Sequence, residues 1–210
     1  MEKVLTVSLL VLIISFVSIQ TPLAQKVMIG PRITGNYTVY NQQNDNNSWN
    51  GIGVGIGGTV DLSFTPHLGI LTNLTVFDMR NFSTSITNNQ TTTEYSYTLS
   101  YLALDPMFKA EFSGFYMVGG PSIGIKLAGS GQKTITTVGR TPTVTPINNP
   151  FNSVRFDIAV GTGYNFMLSP NLALASDFMV YIPLSNTFDF PGLSNSTLSL
   201  KLGAALKFRL

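Results

Sequence analysis

Apolar and polar residues alternate one by one along most of this chain, and in the regular stretches every charge falls on the polar side of the alternation. From Val154 to Leu168, Val154, Phe156, Ile158, Val160, Tyr164, Phe166 and Leu168 alternate with Arg155, Asp157, Ala159, Gly161, Gly163 and Asn165. Successive side chains of a strand point to opposite faces, so each such stretch has one apolar face and one polar face. The pattern recurs about eight times with almost no helical periodicity. The chain is therefore an all-β protein, and the open question is which face meets water.

Eight strands are predicted: Val27–Tyr40, Gly51–Phe64, Leu68–Arg80, Tyr95–Phe112, Phe115–Ala128, Val154–Leu168, Leu172–Leu184 and Thr197–Leu210. The third is the least regular, and its outer half is expected to hold a bulge. Short connections at Thr65-Pro66-His67, Ser113-Gly114 and Ser169-Pro170-Asn171 carry turn chemistry. Long polar ones fall at Asn41–Asn50, Asn81–Glu94, Gly129–Asn152 and Ser185–Ser196, and Gly129–Asn152 is expected to be partly disordered. Short and long connections alternate, which gives an up-and-down order with both ends of the mature chain on the short-turn side. Outer-membrane barrels show this asymmetry, with short periplasmic turns and longer external loops.

Charge decides inside from outside. Only 10% of the 210 residues are charged, against about 25% in ordinary soluble proteins. Arg32, Asp61, Asp105, Lys109, Glu111, Lys126, Arg155, Asp157, Asp177, Lys201, Lys207 and Arg209 all occupy positions opposite the apolar face. Asp78 and Arg80 are left out, as residues near the loop end of the irregular third strand. A lysine or arginine facing lipid at the midplane costs about 2–4 kcal/mol, so the apolar face is assigned to lipid and the charged face to the lumen. A soluble lipocalin-like barrel, the runner-up, would need the reverse arrangement.

No water in hydrocarbon can satisfy a free strand edge, so the first and last strands must pair and close an eight-stranded antiparallel transmembrane barrel. Its interior is only wide enough for side chains to fill. A lumen ion-pair network is predicted from Arg32, Asp61, Asp105, Lys109, Lys126, Arg155, Asp157, Asp177 and Lys201. Inward Gly53, Gly55, Gly57, Gly161, Gly163 and Gly203 are expected to leave room for long charged side chains.

The N-terminus has the pattern of a secretory signal: Lys3, an apolar run from Val4 to Ile19, and a small-residue exit near Ala24 and Gln25. Residues 1–25 are accordingly assigned to a cleaved signal and 26–210 to the barrel. The sequence contains no cysteine, which removes disulfides, thiolate metal sites and a lipoprotein anchor. A net charge of +2 without a basic stripe argues against nucleic acid. The expected partners are outer-membrane lipids, the barrel assembly machinery and a ligand of the external loops.

The segment Tyr101-Leu-Ala-Leu-Asp-Pro-Met-Phe-Lys-Ala-Glu-Phe112, followed by a two-residue turn and Tyr116-Met-Val-Gly-Gly-Pro121, resembles the strand-four to strand-five hairpin of the small outer-membrane β-barrel domain proteins of PorT-like type common in Bacteroidota. Ala103 departs from that pattern, which more often has an acid there, and Leu210 ends the chain where an aromatic is usual. The resemblance implies an outer-membrane location and a small barrel, and it assigns no activity.

No residue is assigned a catalytic, cofactor-binding or metal-ligating role. Lipid-modifying enzymes of this architecture use a histidine near the external side. His67, the sole histidine, is predicted in a short turn at the other end. The reading is an integral barrel with a filled polar lumen and a structural or surface-interaction role through its external loops. A narrow channel for small solutes or ions is the alternative, and a lipid-modifying enzyme comes after it. Trp49 and Phe82 are expected to join Tyr37, Tyr40, Tyr95, Tyr97 and Tyr181 in an interfacial aromatic girdle.

Overall fold

The computed structural model describes residues 26–43, 47, 49–147, 151–189, 192 and 194–210. The expected signal segment lies outside them. Among the described residues nine strands form: β1 Lys26–Gln42, β2 Trp49–Ser63, β3 Leu68–Asn88, β4 Thr91–Phe112, β5 Phe115–Thr137, β6 Thr143–Ile147, β7 Val154–Ser169, β8 Leu172–Pro183 and β9 Asn195–Arg209. Eight of them make a ring in the order β4-β3-β2-β1-β9-β8-β7-β5, closed by the β4–β5 pairing. β1 pairs antiparallel with β9, which joins the first strand to the last. The ninth, β6, lies outside the ring and pairs with the outer part of β5 from Gly131↔Ile147 to Ile135↔Thr143.

The apolar face of each strand of the ring points away from the barrel over the part that carries one. Ile52 on β2 is 74% exposed and Phe108 on β4 is 77% exposed, while inward Arg32, Asp61, Asp157 and Lys201 are buried. From Ile52 on β2 to Phe64 just after it, the outward series covers about 40 Å, which at the usual barrel tilt spans the roughly 30 Å of a hydrocarbon core. The two-residue turn between β4 and β5 has Ser113 at φ 52° and Gly114 at φ 89°, the left-handed pair that a tight hairpin requires.

Two expected loops are folded. β3 and β4 continue through most of Asn81–Glu94 to a tight turn at Asn89, whose φ is 51°. The start of Gly129–Asn152 continues β5, and β6 follows, so the described part of this connection is ordered strand and turn rather than the partly disordered loop expected. These extensions lack an apolar face because they stand above the bilayer. Beyond Met79, Leu102 and Leu127 the outward positions turn to Asn81, Ser83, Ser96, Thr98, Ser130 and Gln132. The result is one tall wall on the barrel mouth. Pro146 lies on β6, which has no second strand neighbour among the described residues, and a proline there cannot offer an N–H to an added strand.

The bulge expected in the third strand is present and has a large consequence. Gly57 pairs with Thr75 and Ile56 with Phe77, and on the other side Thr75 pairs with Ala103 and Asp78 with Tyr101. One extra residue reverses the alternation, so Leu71, Asn73 and Thr75 face inward before it and Asp78, Arg80 and Phe82 after it. Val76 and Phe77 both face outward. A second register shift, between Ser100 and Tyr101 against β5, leaves Leu127 and Ala128 both exposed.

Candidate functional site

Three charged layers cross the lumen between the short turns and the mouth. In the lowest, Lys109 pairs with Asp61 and reaches Glu111 at 2.7 Å, and Lys207 Nζ donates to the second Asp61 oxygen at 2.8 Å. Lys207 also donates to Asn165 Oδ1 at 3.1 Å. Above it Arg32 holds both oxygens of Asp177 in a two-pronged pair, the geometry for which a planar guanidinium is suited. The guanidinium lies where a Cβ on Gly203 would stand.

The upper charged layer is built around Asp78. Lys201 Nζ lies 2.9 Å from Asp78 Oδ1, while Arg80 and Arg155 approach Oδ2 at 3.3 and 3.4 Å. Arg155 Nε donates to Asp157 at 2.6 Å, and Arg80 Nη2 stands 3.5 Å from the same carboxylate. Aromatic faces cover the cations: Tyr101 lies 4.6 Å from the Arg155 guanidinium and Tyr181 lies 4.4 Å from Lys201 Nζ. Each charge of this layer thus has a countercharge or a ring face, which offsets the cost of taking it out of water.

Of the nine residues assigned to the network, Arg32, Asp61, Lys109, Arg155, Asp157, Asp177 and Lys201 form ion pairs across the lumen. Asp105 points inward but is held by neutral donors, Ser122 Oγ at 2.6 Å and Tyr181 Oη at 2.8 Å, and no cation among the described residues pairs with it. Lys126 is the clear departure. Its ammonium donates to the Phe151 carbonyl at 2.9 Å and sits 5.6 Å from the Phe151 ring. It lies opposite Tyr101 at the mouth, where a connection folds over it in place of a carboxylate. Asp78 and Arg80, left out as loop-end residues, lie at the centre of the upper layer because the β3 bulge turns them inward. The irregularity of that strand was the available signal. Among the charged layers lies an apolar one of Leu71, Met107, Tyr116, Val118, Ala159, Met179 and Tyr181.

Of the six glycines expected to leave room for long charged side chains, only Gly203 does so; Gly53 and Gly57 lie against the β3 backbone and Gly55 against the Thr34 hydroxyl. Gly203 faces the Arg32 guanidinium, whereas Gly163 faces the Tyr116 ring and Gly161 the Met179 sulfur.

An aromatic layer closes the mouth. Tyr40, Phe82, Tyr97 and Phe188 are buried together, with Trp49 and Phe151 packed against them. Tyr40 stacks on Phe82 at 4.9 Å, and Phe188 stands 5.3 Å from Tyr40, 5.1 Å from Tyr97 and 5.0 Å from Phe151. The expected girdle is corrected accordingly. Tyr40, Phe82, Tyr97 and Tyr181 face the lumen and Trp49 joins the mouth layer, while Tyr37 is 42% exposed on the lipid side. His67 lies in its short turn, with Nδ1 3.1 Å from the Glu111 carbonyl oxygen and its ring on Phe112.

A closed ring of eight tilted strands, apolar outside and ion-paired inside, defines an integral β-barrel of the bacterial outer membrane. The chain belongs to the outer membrane protein beta-barrel domain family, whose pattern matches residues 22–189. Among solved structures it is similar to Ail, the attachment invasion locus protein of Yersinia pestis, at 13% identity over 86% of this chain and 98% of that one, with a TM-score of 0.40. It is also similar to the outer membrane protein OprG of Pseudomonas aeruginosa (8% identity, 89% and 96% covered, TM-score 0.45) and to CarO2 of Acinetobacter baumannii (14%, 88% and 99%, TM-score 0.44). No curated protein matches the chain.

Proposed function

We propose that this protein is a non-conducting outer-membrane barrel that acts at the cell surface through its tall external wall, not through its lumen. The observation that carries this reading is the stacking of closures along one axis: the Asp61 layer, the Arg32–Asp177 pair, the Asp78 layer and the aromatic mouth. The role is structural or recognitive rather than catalytic, in keeping with a sole histidine that lies in a short turn against a backbone carbonyl. Planar-bilayer recording of the purified barrel tests it. The expected trace is flat at neutral pH, and resolved unitary steps would establish the narrow-channel alternative instead.

The remaining assignments fit the same reading. Residues 1–25 act as a cleaved signal, both ends of the mature chain lie in the periplasm, and the assembly machinery inserts the barrel. The Tyr101–Pro121 hairpin supports placement with the PorT-like branch. Intact mass of the protein extracted from outer membranes tests the first point and should match a chain beginning near Lys26.

A further inference from the structure

We propose that residues 184–189, which follow β8, are a lid, with Phe188 as its seal, that controls access from the external side to the upper lumen. The aromatic mouth has two kinds of member. Tyr40, Phe82 and Tyr97 are fixed on β1, β3 and β4, whereas Phe188 and Phe151 come from connections. Those two rings lie 5.0 Å apart, and their backbones form an isolated antiparallel bridge. Phe188 is 1% exposed although it lies outside every strand.

The lid is tied down by polar contacts at the rim. Asn195 Oδ1 accepts from the backbone N–H of Thr187 at 3.0 Å and of Phe188 at 2.7 Å, and Asn195 Nδ2 donates to the Phe188 carbonyl at 3.0 Å. Thr187 also bonds the Thr197 hydroxyl. Asn152 Nδ2 donates to the Asn186 carbonyl at 2.8 Å, and Asn152 N–H donates to the Thr187 carbonyl at 3.1 Å, which couples the two connections. The Asn195 side chain thus supplies three of the bonds that hold the backbone carrying the seal. Such a latch can open with the eight-stranded ring intact, since none of these bonds belongs to the ring.

Beneath the seal the chemistry changes at once. Along β9 the inward positions run from Asn195 and Thr197 at the rim through Ser199 to Lys201, which pairs with Asp78. Lifting Phe188 would expose Ser199 and the top of a charged layer to the external medium, and that layer would still block the pore below. The inference rests on the filled-lumen reading only for this last point.

The native chain contains no cysteine, so single thiols report access cleanly. Ser199→Cys lies under the seal, and Ser130→Cys on the outward face of β5 is the external control. Intact cells are treated with 2-aminoethyl methanethiosulfonate, a small cationic thiol reagent. With Phe188 present, Ser199→Cys should react about tenfold or more slowly than Ser130→Cys, as protection by a local opening equilibrium requires. That protection should be lost in Phe188→Ala and weakened in Asn195→Ala, the second variant keeping the ring but removing three of the lid's tethers. Equal reaction of Ser199→Cys and Ser130→Cys with the lid intact overturns the proposal, as does protection that survives both variants. Heat-modifiable mobility verifies the barrel in each variant. Conductance of Phe188→Ala separates the two readings, because steps there with the labelling pattern intact would sink the filled lumen and leave the lid standing.

Discussion

Arg32 on β1 and Asp177 on β8 pair across the strand that separates them, and they do so because Gly203 on β9 has no side chain to stand between them. Thr34 and Asp177 both lie opposite Gly203, on its two sides. Removing one partner of such a pair leaves a buried charge alone, at a cost of about 3–5 kcal/mol, whereas replacing both with apolar groups is close to neutral. Asp177→Asn should therefore lower the urea midpoint in phospholipid vesicles well below that of Arg32→Met/Asp177→Leu. Trp49, the sole tryptophan, supplies the fluorescence signal.

Gly203→Val should act on the same pair by steric means. A Cβ there collides with the guanidinium, and overpacking of this kind costs about 1–3 kcal/mol. Combining it with Arg32→Ala should recover part of the loss, and strict additivity in the urea midpoints would refute the coupling.

Deletion of Val76 should abolish folding. It removes the residue that reverses the β3 alternation, so Asp78 and Arg80 would turn toward lipid or the strand would lose its pairing with Thr75 onward. An arginine facing lipid near the interface costs at most about 1 kcal/mol, so the larger loss is that of the central carboxylate of the upper layer, which leaves Lys201 without its partner. The readout is the mobility shift between unheated and boiled samples, which should vanish for the deletion and persist for Val76→Leu.

Ile158→Arg, on the lipid face, should block insertion into the membrane. The neighbouring lumen position is a poor control, because Ala159 is fully buried against the Met179 and Tyr181 layer. Ile158→Leu serves better and should insert normally. Recovery of folded Ile158→Arg from outer membranes at native levels would mean the faces are exchanged.

Tyr181→Phe should destabilise the barrel by about 1–3 kcal/mol, since it removes one of the two donors that hold the buried Asp105 carboxyl group. Adding Ser122→Ala takes away the other donor. Asp105→Leu in the double-variant background should restore stability, and a further loss there would show that Asp105 has a partner elsewhere.

The ring, its closure and the facing of nearly every regular strand could be read from the chain because each is a local property. Alternation places a side chain on one face or the other, and lipid tolerates no charge on its side. Arg32, Asp61, Lys109, Arg155 and Asp157 needed nothing more than this parity to be assigned to the lumen. Parity fails at a bulge, which is why Asp78 and Arg80 could not be assigned. It also weakens above the bilayer, where the outward side need not be apolar, and so β6, the upper parts of β3 and β5 and the first residues of β4 read as loops.

Which inward residues meet is a different kind of question. Arg32 and Asp177 lie 145 residues apart in sequence, and Lys126 and Lys201, alike in facing inward, end beside a phenylalanine carbonyl and an aspartate respectively. Those choices depend on strand register, on the height each residue reaches around the closed ring, and on where connections fold back. Period-two chemistry alone determined that this protein is a lipid-facing barrel with its charges inside. Only the tertiary structure decided how those charges pair and that an aromatic seal carried by two connections closes the mouth above them, because both depend on contacts between residues far apart in the chain, which alternation does not encode.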